Sequence, residues 1–376
     1  MKARALPGYL YDTLTRLFPH RTRTGLRAVG TPGPDAPVLV TGNYTLTVRR
    51  LTEHLAGFDC WLLVADSRGI NVWCAAGGGH LTHHDVIAAI RTSGVAERVR
   101  HREVVLPQLG ATGIERRAIT EATGWATRWG PARLEDLPAF LARGSRIVKR
   151  WRFMRFPAWE RFEMAAVWAL PMTLVAGPVF GILGGRRVLA ATLLQVWIVV
   201  PGLFLTVPHW PVRGRGRWVV FAGAAAAGFG LAWGVLALLG GVSGGHLILA
   251  AVASVAAVGV LAVDFAGTTP WYPSYVNSFR NTPAITLSED RCTGAAECVQ
   301  VCPRDVLAME GRRRKVRVAR PDDCIACGAC IVQCPEDALH FRYPDGRVVE
   351  AATIRSTRLN MMGRRTVHVG PGGPAR

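Results

Sequence analysis

Charged residues are scarce in this chain: they make up 19% of its 376 residues, while half of the sequence is hydrophobic. That balance suits a membrane protein with soluble parts. Cysteine is missing from most of the length. Seven of the nine cysteines fall between Cys292 and Cys334, at spacings suited to metal sites, which argues against a disulfide framework and agrees with a reducing compartment. The N-terminus, "MKARALPGYLYDTLTRLFPH", lacks the apolar core of a secretory signal, because Arg and Asp run through it. A dinucleotide-type G-x-G-x-x-G loop is absent as well, since "GGGHLT" does not fit it.

The charge that is present is strongly basic, with a net value of +19. It is concentrated in "RGSRIVKRWRFMRFPAWERF" (143–162), "VRGRGRW" (212–218) and "GRRRKVRVAR" (311–320). Basic runs read either as nucleic-acid patches or as membrane-flanking charge. The first two directly flank long apolar segments, so the expected partner is membrane lipid and no nucleic acid.

From about Pro37 to Phe140 short β-rich runs alternate with helical stretches, the pattern of an α/β domain with a mainly parallel sheet. Four apolar segments follow, approximately 164–183, 188–207, 218–239 and 247–266, each near the ~20 residues that cross a bilayer. The positive-inside rule places the basic entry and the Arg213, Arg215 and Arg217 loop in the cytoplasm, outnumbering Arg186 and Arg187 on the opposite loop. Asp264, near the end of the last segment, reads as an interfacial residue or an ion site.

The run "CIACGACIVQCP" sets Cys324, Cys327, Cys330 and Cys334 at the C-x2-C-x2-C-x3-C-P spacing of a [4Fe–4S] ferredoxin half. "CTGAAECVQVCP" places Cys292, Cys298 and Cys302 in the same register, with Ala295 at the second position. Crossed ligation then gives one complete set, Cys302, Cys324, Cys327 and Cys330, and one incomplete set, Cys292, Cys298 and Cys334. An iron without its thiolate takes water, a substrate or another side chain such as Glu297, or is lost to leave a [3Fe–4S] cluster. Zinc in place of iron–sulfur, or a degenerate first cluster, is the alternative.

Cys74, in "INVWCAAGGGH", sits where a strand hands over to a helix. A thiol near a helix N-terminus ionises more readily and serves as nucleophile or metal ligand, though a lone cysteine is also commonly core packing. Gly77, Gly78 and Gly79 let a large flat ligand approach the backbone. Cys60 alternates with apolar neighbours and reads as core, and His80, His83 and His84 read as a solvated first helical turn or metal ligands.

"NVWCAAG", Asn71 to Gly77, resembles the cap-helix signature of the mercury-methylation corrinoid protein family (HgcA), relatives of the corrinoid iron–sulfur protein of the acetyl-CoA pathway. "VVLPQLGATG", "WGPARLEDLPAFL" and "DFAGTTPWYPS" resemble segments of the same family, and the C-terminal module resembles its ferredoxin partner (HgcB). The resemblance implies a bound cobalamin contacted by Asn71, Val72, Trp73, Cys74, Ala75, Ala76 and Gly77, with Cys74 as lower axial ligand. It implies methyl transfer from cobalt to a soft metal or metalloid acceptor such as Hg(II), a folate-linked methyltransferase as methyl donor, and an electron donor for the clusters. Three positions depart from the family: its lysine after "CAAG" is Gly78 here, its ferredoxin's terminal cysteine pair is absent from "RLNMMGRRTVHVGPGGPAR", and Ala295 empties a cluster corner.

The expected architecture is an α/β, Rossmann-like corrinoid-binding domain (1–142), a basic juxtamembrane segment (143–163), a transmembrane bundle of about four helices (164–267) and a linker (268–284). An α+β two-cluster bacterial-type ferredoxin domain (285–345) and a basic, partly disordered tail (346–376) complete it. The expected cofactors are cobalamin, a [4Fe–4S] cluster and a second cluster that is either [4Fe–4S] with an open site or [3Fe–4S]. The expected location is the cytoplasmic (inner) membrane, multi-pass, with both soluble domains facing the cytoplasm. An electron-transfer protein of the membrane without corrinoid chemistry is the rival reading.

Overall fold

The computed structural model describes residues 6–16, 18–210, 216–263, 283–359, 365–370 and 373–374. They form two compact units. Helix α1 (Leu6–Leu14), expected in the α/β domain, belongs instead to the helical unit, where Arg16 pairs with Glu163 at 3.1 Å.

The other unit begins with β1 (Gly25–Val29), β2 (Val38–Gly42), α2 (Thr45–His54), β3 (Cys60–Ala65) and α3 (Val72–Gly78). It continues through α4 (His83–Thr92), α5 (Val95–Arg98), β4 (Glu103–Leu106), α6 (Arg116–Thr123), β5 (Ala126–Trp129) and α7 (Leu137–Ala142). The sheet runs β1-β3-β2-β4-β5 and is mixed: β3, β2, β4 and β5 are parallel, and β1 lies antiparallel on the edge beside β3. Every residue of β2 is buried, and all of β3 but Trp61, as strands covered on both faces require. The chain passes from β2 to β3 on one side and then crosses back over β2 to β4. The loops after β2, β3 and β4 therefore meet at one carboxyl edge, where open α/β sheets bind ligands.

The basic segment after α7 does not run straight to the membrane helices. Trp151 is 2% exposed within the core behind the sheet, the Ala132 amide donates to the Trp151 carbonyl at 2.8 Å, and Arg133 donates to the Arg155 carbonyl at 2.7 Å. The Met154 amide then donates to the Pro303 carbonyl at 2.9 Å. Residues to Arg155 thus form a strap between the α/β and cysteine-rich parts, which share this unit.

The cysteine-rich part pairs β6 (Ala284–Leu287) with β9 (Leu339–Arg342) and β7 (Leu307–Glu310) with β8 (Lys315–Val318), both antiparallel, and β10 (Val348–Val349) extends the first pair. Two short helices, Glu297–Val301 and Ala329–Val332, lie within the two cysteine motifs and carry Cys298 and Cys330. Packing continues past the boundary expected at 345. Ala351 and Ile354, on the helix Ala351–Ser356, are 1% and 0% exposed in the core of the cysteine-rich part, and β11 (Thr357–Leu359) pairs with β12 (Arg365–Gly370).

In the helical unit, α8 (Ala158–Thr206), α9 (Gly216–Leu238) and α10 (Gly244–Val263) account for three elements long and apolar enough to cross a membrane. The first is doubled back on itself. Trp197 donates its indole N–H to Thr173 at 3.0 Å, a pair that a straight helix would hold ~36 Å apart. The reversal is at Gly185, whose φ of 69° and ψ of −173° leave the helical region for backbone that favours glycine. Two of the four expected segments are therefore arms of α8. Arg187, just past the turn, donates to the Gly240 carbonyl at 3.3 Å beyond the C-terminus of α9, a placement that complements the helix dipole. Leu174, Ile182, Val255 and Leu238 point outward at 67%, 84%, 65% and 89% exposure, a surface that suits lipid. Asp264 and the "DFAGTTPWYPS" segment lie outside the described residues.

The cap segment α3 rests on Gly113, after β4. A Cβ there would lie 2.6 Å from the Ala76 carbonyl oxygen and closer still to that of Leu81. Gly113→Ala is expected to displace α3 and lower stability by about 1–3 kcal/mol. Gly33→Ala, in open space, serves as the neutral control. Thermal unfolding of the full-length detergent-purified protein measures both, and equal midpoints would contradict the packing described.

Candidate functional site

The carboxyl edge of the sheet is organised by Asn43, the residue after β2. Its side-chain oxygen accepts from the Ser67 amide at 2.9 Å, the Ser67 hydroxyl at 3.1 Å and the Gly69 amide at 2.9 Å, and its amide donates to Asp66 at 3.0 Å. This fixes the loop between β3 and α3. Asn71 then caps α3, accepting from the Cys74 backbone N–H at 3.0 Å, so the residue that opens the helix also fixes the backbone carrying the thiol.

The seven residues of the cap motif divide between two faces. Val72, Ala75 and Ala76 are buried, Val72 and Ala75 in the main α/β core, so their side chains position the helix rather than line a site. Asn71, Trp73, Cys74 and Gly77 are half-buried. Cys74, Gly77 and Gly78 share a face by helical spacing. Open space lies where a Gly77 side chain would project, and beside Gly78 the nearest atoms are the His80 ring at 3.4 Å and the Leu359 carbonyl at 3.8 Å. A soft sulfur donor beside a floor without side chains fits a flat, thiolate-ligated metal macrocycle. Buried side-chain oxygens of Thr41, Gln108 and Thr112 have no hydrogen-bond partner at the same edge, on the strands and loop that support α3.

The histidines stand at the start of α4. His83 and His84 lie 4.2 Å apart, and burial, with His84 and Arg358 nearby, pushes His83 down to about 4. His83 is therefore neutral at physiological pH, and it opens the first turn of α4 half-buried. Cys60 is fully buried, and its burial, helped by Asp59, pushes the thiol up to about 11, in keeping with a core residue.

The structure sorts the seven clustered cysteines into two groups. One pocket is walled by Cys302, Cys324, Cys327 and Cys330, and another by Cys292, Cys298 and Cys334 with Ala295 and Glu297. Burial, followed by neighbouring thiols, pushes Cys327 up to about 12 and Cys330 well above the ordinary thiol range; in the second pocket burial and Cys334 push Cys298 up to about 12. Thiols packed this way resist ionising alone, and a bound metal would supply the positive charge that makes them thiolates. Among the described residues no three His, Cys, Asp or Glu side chains are close enough to share one metal ion. The division into a set of four and a set of three follows the crossed grouping that the C-x2-C-x2-C-x3-C-P spacing predicts for iron–sulfur clusters. Both oxygens of Glu297 accept from Arg116, at 2.9 and 2.8 Å, so as a ligand this carboxylate would have to leave that pair.

Sequence reasoning missed what joins the two sites. Gln333, between Cys330 and Cys334, donates to the Ala111 carbonyl at 2.8 Å and the Ile114 carbonyl at 2.7 Å. Gln108 donates to the Gln300 carbonyl at 3.2 Å, and buried Arg358 reaches the Gly113 carbonyl at 3.4 Å. All converge on the loop after β4 that supports α3. Val301 and Ala329 enter the α/β core itself, with Cys327 packed against it. Arg365 sets its guanidinium on the complete thiol set, donating to the Cys327 carbonyl at 2.7 Å. Burial lowers it to about 10, which leaves it cationic.

Residues 13–141 match the family described as CO dehydrogenase/acetyl-CoA synthase delta subunit, and residues 284–335 match the 4Fe-4S dicluster domain. Similar curated proteins include acetyl-CoA decarbonylase/synthase complex subunit gamma of Methanopyrus kandleri, 36% identical over 125 residues, which are 33% of this chain and 27% of that protein. The corresponding subunit of Archaeoglobus fulgidus is 37% identical over 115 residues, 30% of this chain and 24% of its own. Subunit gamma 2 of Methanosarcina mazei is 45% identical over 87 residues, 22% of this chain and 18% of its own. The chain thus spans about a quarter of the length of the curated relatives it matches. The loop system bearing Cys74 thus lies within the stretch similar to the CO dehydrogenase/acetyl-CoA synthase delta subunit family, and it is followed on the same chain by a stretch similar to the 4Fe-4S dicluster domain.

Proposed function

We propose that this chain is a membrane-anchored corrinoid methyltransferase carrying its own ferredoxin, with Hg(II) as the soft acceptor implied by the cap motif. The observation that carries the reading is that one loop, 107–116, packs under the Cys74 helix on one side and receives the ferredoxin's Gln333 on the other. When bound, a corrinoid supplies a cobalt that takes up a methyl group and releases it to an electrophile.

This chain's residues do the holding. Cys74 offers the sulfur donor, Asn71 fixes its backbone, Gly77 and Gly78 keep the floor low, and Val72, Ala75 and Ala76 pin the helix to the Rossmann-like sheet. The complete thiol set would hold a [4Fe–4S] cluster against the α/β core, so electrons reach the corrinoid site within one chain at high effective concentration. The second set, with Ala295, would hold a cluster with an open or missing iron. In this reading the apolar helices anchor the chain in the cytoplasmic (inner) membrane, both soluble domains face the cytoplasm, and a folate-linked methyltransferase supplies the methyl group.

A second reading keeps the machine and changes the acceptor to a metalloid or an organic group. It is favoured by the chain nearest Gly78, where a Leu359 carbonyl stands, in a stretch, 335–376, that holds no cysteine.

Cys74→Ala in cobalamin-loaded, detergent-purified protein should change the cobalt optical and EPR spectra, abolish methylmercury formation, and leave the iron–sulfur spectra as they were. Unchanged cobalt spectra would remove Cys74 from the site and favour plain electron transfer. Ala295→Cys should raise bound iron by about one atom per chain and convert any [3Fe–4S] signal; an unchanged iron count would mean that another ligand already holds that corner. Arg365→Leu removes a cation beside one cluster and should lower its midpoint potential by an amount on the order of tens of millivolts, read by redox titration. Its other cluster should stay fixed.

A further inference from the structure

We propose that the β7–β8 hairpin is the docking surface for an acidic one-electron carrier protein, and that electrons enter the ferredoxin through it. The inference rests on the reading that these thiol sets hold iron–sulfur clusters, and deepens it by naming where and from what chemistry the electrons arrive.

The hairpin has two faces. Leu307 on β7, 1% exposed, walls the complete thiol pocket, and Val316 on β8, 4% exposed, walls the pocket of Cys292, Cys298 and Cys334. The outward side is basic: Arg312, Arg313, Arg314 and Arg317 are exposed, and Glu310 is the single acid within residues 307–318. Arg313 approaches Glu289 only at 3.9 Å, between side chains 66% and 69% exposed, so water screens the pair and the charge stays available. The turn is pressed onto the second pocket, because Gly294, in the loop after Cys292, lies directly against the Arg314 carbonyl.

The opposite side of the module is already occupied. Helices Glu297–Val301 and Ala329–Val332 contribute Val301 and Ala329 to the α/β core, and Gln333 bonds the loop after β4. The hairpin is thus a charged surface that backs onto both thiol pockets from the side away from the α/β core. A concentrated positive patch raises the encounter rate of an acidic partner by about 10–1000-fold at low salt. The step balances simply: the reduced carrier loses one electron, an oxidised cluster gains it, and no bond or proton changes.

The test is stopped-flow reduction of the full-length, cluster-loaded protein, followed by iron–sulfur absorbance, with a reduced acidic [2Fe–2S] ferredoxin as the probe. A neutral deazaflavin photoreductant is the control. Wild-type rates with the ferredoxin should fall as salt rises, and the triple variant Arg312→Glu, Arg313→Glu, Arg317→Glu should be slower by tenfold or more at low salt, with deazaflavin reduction unchanged. The triple Arg→Lys variant should keep the fast rate. A wild-type rate indifferent to salt, or a charge-reversed variant as fast as wild type, overturns the proposal. So does a charge reversal that spares the ferredoxin rate but abolishes binding to phosphatidylglycerol vesicles, which would make the surface a lipid contact. Because the readout is the clusters' own absorbance, it is independent of cobalamin: loss of the Cys74 reading leaves this result standing, and absence of cluster absorbance is failure of the iron–sulfur reading instead.

Discussion

Gln333 gives both carboxamide protons to the α/β domain, and its position between Cys330 and Cys334 leaves it little freedom to do otherwise. The two carbonyls it satisfies, on Ala111 and Ile114, belong to the loop after β4. Without the amide each would be a buried acceptor lacking a partner, at a cost of about 1–3 kcal/mol. Because the same loop meets Ala76 through Gly113, the geometry of the sulfur pocket and that of the cap helix are set by one contact. The Arg116–Glu297 pair and Arg358 hold the margins of this joint.

The helical unit obeys a different constraint. Its side chains do not alternate between core and solvent; leucines, isoleucines and valines face outward along α8, α9 and α10. Specificity inside comes from small residues and a few polar contacts, such as Gln195 donating to Ser254 at 2.6 Å with Gly228 close beside them. Such contacts suit lipid, where helix association depends on close packing and internal hydrogen bonds.

Much of this was legible in the sequence because the signals were local. The C-x2-C-x2-C spacing forces backbone to wrap a cluster, and the displaced final cysteine of each motif carries the crossed grouping with it. Asn71 entered through the family resemblance as a corrin contact, and the structure adds that its side-chain oxygen meets the N3 amide of α3 as a cap. Gln333, Asn43, Arg358 and Trp151 were not legible, since each works through a partner far away in sequence. The arginines of 143–155 looked like membrane-flanking charge, yet the buried Trp151 among them was the sign that this segment returns to a core. Likewise the basic tail hid the pattern of Ala351 and Ile354, three residues apart on one buried helix face.

Val301 and Ala329 complete a core whose other members come from residues 38–129. On the ribosome, the first domain therefore emerges with a gap that only the far end of the chain can fill, after all the apolar helices have been made. Closure of that gap requires the two short cysteine-bearing helices to take shape. The loop under the cap helix is therefore completed by residues far along the chain, and the Cys74 site is finished last.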